Sequence, residues 1–268
     1  MKLLYQTHSP YARKVLVAAH EMGLQQRLSV VHHETSPTRR NEDVFALNPL
    51  GKVPVLICDD GAVLFDSNVI CEYLDGLHGG APLIPAEPSP RFRALKMQAL
   101  AQGIADAGIA ARWEAARRPA QLRWPTMHDA QVQKIAQACD FLEREIEQRG
   151  WDRAANEAGA GPDGHVAPDA HVAPDAHVAP DGHVAPDAHT GAGAHVSAHS
   201  HVDLGTRGDA PSRPPDIGDI ALATALSWLE FRDVYAFLPG RPRLGAWYAA
   251  LCARPSMIAT ALAGDTRD

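Results

Sequence analysis

From Pro162 onward a proline returns every sixth residue, opening further copies of the unit Pro-Asp-Gly/Ala-His-Val-Ala at Pro168, Pro174, Pro180 and Pro186. Each proline removes a backbone donor and fixes φ. With Asp and Gly beside it, it prevents both a long helix and a central strand. Valine and alanine are the unit's only apolar groups, too few to bury a face, so the repeat makes no convincing solenoid. We read about Ala154 to Pro214 as a disordered or loosely extended insertion. Removing it leaves a body of roughly 200 residues, the size of two small domains.

Eight histidines of this stretch, His165, His171, His177, His183, His189, His195, His199 and His201, invite a metal reading. Six-residue spacing turns successive side chains by about 240° on a helix, so they would share no face. In a flexible chain they could still gather around Zn²⁺ or Ni²⁺, with Asp as an oxygen donor. A spacer is the expected role, and no metal is assigned. Whatever the role, the eight imply a large charge change between about pH 7 and 5.5.

The insertion also holds most of the charge. Of the formal net charge of −7, −6 falls between Ala158 and Asp209, where seven aspartates stand against one arginine. The body is left near neutral with no Lys/Arg-rich patch, so there is no electrostatic case for nucleic acid or an anionic membrane surface. Cys58, Cys71, Cys139 and Cys252 lack C-x-x-C spacing and read as buried thiols in a reducing compartment. Lys2 is followed by only three apolar residues before Gln6, far short of a signal-peptide core. No apolar run is long enough to span a bilayer, so the cytoplasm is the expected location.

The body changes its pattern near residue 80. Lys2 to Tyr5, Leu28 to His32, Pro54 to Cys58 and Ala62 to Phe65 read as strands, the last two joined by the hairpin signal Asp59-Asp60-Gly61. Helical spacing runs from Ala12 to Met22 with Gly23 at the cap, a short helix fits Asn41 to Leu47, and Ser67 to His78 closes the set. That last helix has Val69, Ile70, Tyr73, Leu74 and Leu77 on its apolar side. The order β-α-β-α-β-β-α is the plan of a thioredoxin-like α/β domain, expected over 1–80. A linker over 81–88 leads to an all-helical domain, 89–268, which contains the insertion. Its helices are expected from Pro90 to about Arg117, Met127 to about Arg149, Asp216 to about Phe231, and Arg243 to Ala253.

Ser9-Pro10 supplies a helix N-cap and N1 pair, which explains itself structurally. The same geometry puts a hydroxyl at the positive end of a helix, where it can stabilise a thiolate. Asp66-Ser67 is likewise a good cap pair, and Val53-Pro54 alone is an ordinary strand start.

Taken together, Ser9-Pro10-Tyr11-Ala12-Arg13-Lys14-Val15, Asn48-Pro49-Leu50-Gly51-Lys52-Val53-Pro54-Val55-Leu56 and Phe65-Asp66-Ser67-Asn68-Val69-Ile70-Cys71-Glu72-Tyr73-Leu74 closely resemble the three landmark segments of the bacterial cytosolic glutathione transferases, in the family's order. Further on, Asp216-Ile217-Gly218-Asp219 looks like the family's capping box opening its buried core helix, with Asp where Glu or Gln is usual.

The resemblance implies glutathione as co-substrate, no metal, and a homodimer. It places Ser9 where serine-type members keep the hydroxyl that donates to the glutathione sulfur. A free thiol with pKa near 8.5 is mostly un-ionised at neutral pH, and stabilising its thiolate by about two units, roughly 2.7 kcal/mol, makes most of it nucleophilic. Ser9 stands where redox members have cysteine, with Ala12 in the second redox position, so dithiol reductase activity is not expected. The resemblance further implies a cis Val53–Pro54 bond, with Val53 pairing its backbone to the cysteinyl part. Ser67 would hold the γ-glutamyl carboxylate, Asp66 would face the α-ammonium, and Lys52 is a weaker candidate for the glycyl carboxylate.

The expected activity is attack of the thiolate on a small hydrophobic electrophile. Tyr11, Arg112 and Trp113 are candidate pocket residues. Tyr5, Thr7 and Tyr11 remain open as substitutes for Ser9. A glutathione-dependent isomerase, or a non-enzymatic binding or stress-regulatory module, are the alternatives.

Overall fold

In a computed structural model of the protein, residues 1–149 and 213–263 are described; the histidine repeat lies outside the described residues. The first half contains β1 (Lys2–Tyr5), α1 (Pro10–Glu21), β2 (Ser29–His32), α2 (Glu42–Leu47), β3 (Val55–Ile57), β4 (Val63–Leu64) and α3 (Ser67–Asp75). These give the expected α/β thioredoxin-like sheet in the order β2-β1-β3-β4, with β1 and β2 parallel and β3 antiparallel to both β1 and β4.

Alternation along β1 decides what covers the sheet. Leu3 and Leu4 are both buried but point to opposite faces. Leu3 joins Val15, Ala18, Ile70 and Leu74 of α1 and α3. Leu4 instead meets Val44 of α2, with Val53 and Val55. Such a sheet is covered by helices on both faces, which explains the continuous apolar run of β1.

The helical half contains α4 (Pro88–Arg112), a wider π-type turn over Trp113–Arg117, α5 (Pro125–Arg149), α6 (Ile217–Phe231), α7 (Pro242–Cys252) and α8 (Pro255–Ala259). α5 offers α4 a stripe of Ile135, Cys139, Leu142 and Ile146, spaced four, three and four residues apart. α6 is buried from Ile217 through Leu229, as a helix apolar on every side must be. It approaches α4 closely because two glycines leave room. A Cβ on Gly108 would lie 2.6 Å from Leu229 Cδ2, and one on Gly218 would lie 2.6 Å from Met97 Cβ and 2.7 Å from the Ala94 carbonyl oxygen.

Several expectations need correction. α3 ends at Asp75 rather than His78, and Asp75 is occupied at the turn: its carboxylate accepts from Leu83 N–H, Ile84 N–H and His78 Nε2. Val69 is not on the buried side but 46% exposed, and Ile70, Cys71 and Leu74 carry the packing. α4 gives way to the π-type turn at Trp113, and Pro255–Ala259 forms a short helix where none was expected. All four cysteines are free thiols; Cys252 is partly exposed and the others are buried. Among the described residues no helix is long and apolar enough to cross a membrane.

Candidate functional site

The sheet register brings the three landmark segments to one end. Leu4 pairs with Val55, so the next step along β1 reaches the Val53–Pro54 turn. β4 runs antiparallel to β3 and therefore leaves the sheet at that same end, into Asp66 and α3. The loop from Gln6 to Ser9, the start of β3 and the first turn of α3 are thus neighbours.

Ser9 caps α1 from an extended backbone, and its Oγ accepts from Ala12 N–H at 3.2 Å. No group among the described residues receives its own O–H, so that proton is uncommitted. The loop in front of it is pinned from the other half of the molecule, because Trp228 Nε1 donates to the His8 carbonyl at 2.8 Å. Within the first turn of α1, Arg13 is buried and donates to Ser227 Oγ at 2.5 Å and to the Met257 carbonyl at 3.0 Å.

The Val53–Pro54 peptide is cis. Its turn is set by Asn48, whose side chain accepts from Leu50 N–H and donates to the Lys52 carbonyl at 2.9 Å. Gly51 has φ +62°, and a Cβ there would overlap the Phe45 ring at 2.1 Å, so the position admits no side chain without rearrangement. The Lys52 side chain is exposed.

At α3, Asp66 is an exposed N-cap whose Oδ1 accepts from Asn68 N–H at 2.9 Å. Ser67 is only 1% exposed, and its Oγ has no hydrogen-bond partner among the described residues. A buried hydroxyl without a partner at a helix N-terminus, among free N–H groups, is a ready acceptor and donor set for an anion.

Tyr11 hydrogen-bonds to Asp106 on α4. Burial first, and then that carboxylate, push its hydroxyl above the usual tyrosine range. Its proton is therefore already committed, unlike that of Ser9. A narrow cleft behind Tyr11 is lined by Lys14, Ala101, Gln102, Ala105 and Thr224. Arg112 and Trp113 are not part of that lining. A second cleft of about 340 Å³ is lined by Gln6, Thr7, His8, His32, Glu34 and Arg39. Among the described residues no group of three or more His, Cys, Asp or Glu is placed to hold a metal ion.

Lys14, Asn68 and Asp106 escaped the sequence reading. Lys14 Nζ donates to Asn68 Oδ1 at 2.6 Å, and burial lowers its pKa. The available signal was composition: apart from Tyr11, α1 carries only Arg13 and Lys14 as polar groups before His20, too few for a full solvent face.

Residues 8–77 match the family described as Glutathione S-transferase, N-terminal domain, and residues 192–250 match Glutathione S-transferase, C-terminal domain. The chain is 35% identical over 143 residues to the uncharacterized GST-like protein YibF of Escherichia coli strain K12, covering 53% of this chain and 68% of that one. It is 36% identical over 81 residues to a stringent starvation protein A homolog of Histophilus somni, spanning 30% of this chain and 36% of that relative. Among solved structures, a glutathione transferase family member from Pseudomonas fluorescens Pf-5 with bound glutathione superposes with a TM-score of 0.69 at 31% identity, covering 97% of each chain.

Proposed function

The chain belongs to the glutathione S-transferase family, and on that premise we propose that it binds glutathione at the first turns of α1 and α3 and activates its thiol through Ser9. The observation that carries this reading is the uncommitted O–H of Ser9. Its oxygen already accepts from the helix, so the remaining proton is free to donate to a sulfur anion. The positive end of α1 adds to that stabilisation. Tyr11 is a poorer candidate because its proton goes to Asp106. Thr7 stands in the loop ahead of the helix end, and Tyr5 lies within β1, edge-on to His32.

In this reading the Val53 backbone pairs with the cysteinyl residue and Lys52 reaches the glycyl carboxylate. Ser67 holds the γ-glutamyl carboxylate, and Asp66 holds the α-ammonium. Recognition of a zwitterion needs both signs close together, and the first turn of α3 offers an anionic cap beside an unfilled hydroxyl. The thiolate then attacks a small hydrophobic electrophile from the α4 side, where Tyr11 and a lining of alanines face the cleft. No covalent intermediate on the protein is required. A homodimer is part of the same reading: Val69 on α3 and Phe92 on α4, 46% and 68% exposed, lie near the Arg91–Glu72 ion pair that joins the two helices at 3.0 Å. Sedimentation of the protein as a single-chain species would exclude that part.

The deciding experiment is retention on immobilised glutathione, followed by titration of the bound thiol in wild type and Ser9→Ala. Wild type should retain glutathione with a thiol pKa about two units below 8.5, and the variant should lose most of that shift. An unshifted thiol in wild type removes Ser9 as activator. The likeness to stringent starvation protein A homologs supports a second reading, a stress-regulatory module without catalysis. In that case glutathione is bound weakly and Ser9→Ala leaves the biological phenotype intact.

A further inference from the structure

Nine large apolar side chains stand exposed among the described residues, and three of them crowd into six positions where α4 gives way to α5. Leu122, Trp124 and Met127 are 59%, 60% and 43% exposed. They belong to an unbroken exposed run over 115–127. Exposed apolar residues scattered singly are ordinary, whereas a concentrated set marks a contact site.

The turn does not depend on those side chains for its shape. The buried Glu114 carboxylate accepts from the Trp124 N–H and pairs with Arg118 Nε at 2.8 Å. Arg123 Nε donates to the Arg118 carbonyl at 3.1 Å, and Pro119 and Pro125 restrict the backbone on either side. Backbone and polar groups thus hold the turn, and the Trp124 ring is left over. A contact residue held ready in this way loses little freedom when a partner arrives.

The charge around that ring is one-sided. Arg117, Arg118 and Arg123 fall within seven residues, a local excess that the near-neutral total conceals. Glu114 answers Arg118, but Arg117 and Arg123 have no carboxylate within ion-pair distance among the described residues. These features choose among occupants. A two-fold contact centred here would set the patch against its own copy, arginine facing arginine. An anionic bilayer is held by clusters of about four to eight cations, more than the turn supplies. The net charge of −7 opposes a polyanion as long as nucleic acid. Tryptophan beside arginine, with lysine absent, is the composition that dominates contacts between proteins, and guanidinium groups take carboxylates in bidentate pairs.

We infer that the turn between α4 and α5 is a docking surface for an acidic protein segment. Trp124, flanked by Leu122 and Met127, receives an apolar anchor of that segment, and Arg117 and Arg123 receive its carboxylates. The surface uses none of the residues assigned to glutathione or to the second copy, so it stands or falls independently of both.

Fluorescence anisotropy of the full chain with a labelled peptide tests this. The probe is about ten residues of Asp and Glu around a central Leu-Phe pair, a length that such arginine-lined surfaces recognise. One control replaces the acidic residues by lysine, the other replaces Leu-Phe by Gly-Ser. The acidic probe should bind, and Trp124→Ser or Arg123→Glu should each weaken it about tenfold or more. Added salt should weaken it further, the Gly-Ser control should bind about tenfold less well, and the lysine control should not bind. Unchanged urea midpoints and unchanged retention on immobilised glutathione in both variants show that the fold is kept. Should Trp124→Ser unfold, Leu122→Ser on the same turn gives the same reading. No binding of the acidic probe, equal binding of the lysine control, or an affinity indifferent to the variants overturns the inference. So does loss of a dimer in sedimentation on Trp124→Ser, which assigns the turn to a second copy, or binding to phosphatidylserine vesicles that the acidic probe does not displace, which assigns it to a membrane.

Discussion

The first turns of α1 and α3 and the first turn of α6 use the same capping chemistry and finish it differently. At α6 the box is closed on its backbone donors, although Asp219 Oδ1 has no hydrogen-bond partner among the described residues. Asp216 accepts from Gly218 N–H and Asp219 N–H, Asp219 accepts from Asp216 N–H at 2.9 Å, and Arg213 reaches both carboxylates. At α1 and α3 it is left open: the Ser9 cap keeps a proton to give, and the Ser67 hydroxyl has no partner among the described residues. A closed cap holds a helix in place, whereas an open one holds capacity in reserve for a ligand. The difference teaches that a capping serine is a functional candidate when its hydroxyl is left with bonding capacity, as at Ser9 and Ser67, rather than by its place at a helix start.

Substitutions at the two kinds of cap should therefore separate binding from stability. The largest expected effect is Ser9→Ala, which should raise the thiol pKa of bound glutathione by about two units, roughly 2.7 kcal/mol, while costing the fold only ~1 kcal/mol as a lost cap. Next comes Asp216→Ala, which should lower stability by about 2 kcal/mol in urea denaturation and leave the bound thiol's pKa in place. If the two variants give the same profile, the contrast between open and closed caps is broken. Trp228→Phe removes the bond that holds the His8 carbonyl and should cost about 1 kcal/mol, read as a few-fold loss of glutathione affinity.

The smallest signal at any single pH belongs to Asp219→Asn. Burial, and then the Asp216 carboxylate, push the Asp219 carboxyl up to about 7, with Arg213 opposing. An unfolded aspartate titrates near 3.9, so the folded state holds a proton that the unfolded state has released. That contribution to stability is complete below about pH 4 and is lost as pH rises through about 7. The Asp219→Asn variant should flatten the decline over this interval; an unchanged slope means that Asp219 is ionised throughout.

What could be read from the sequence follows the same division. Ser9-Pro10, Asp66-Ser67 and Asp216-x-x-Asp219 satisfy donors two or three residues away, so their geometry is contained in a few letters. The sheet was legible because short apolar runs and the Asp59-Asp60-Gly61 hairpin are also local. The partners that fix the site are not: Lys14 and Asn68 are 54 positions apart, Tyr11 and Asp106 are 95, and Trp228 and His8 are 220. Val69 shows the limit of periodicity, which assigns a residue to a stripe without saying whether anything covers it. The helix Pro255–Ala259 is too short to announce itself by spacing.

The burial of α6 sets an order of events during synthesis. α1 is complete at Glu21, yet the helix that covers Arg13 and secures the His8 carbonyl begins at Ile217, about two hundred codons later. At roughly 5 to 20 residues per second, a ribosome needs about 10 to 40 s to bridge that gap. Throughout that delay the nascent first half carries a guanidinium and an apolar helix flank with nothing to cover them. Synthesis of the α6 segment thus decides when the first turn of α1 becomes rigid.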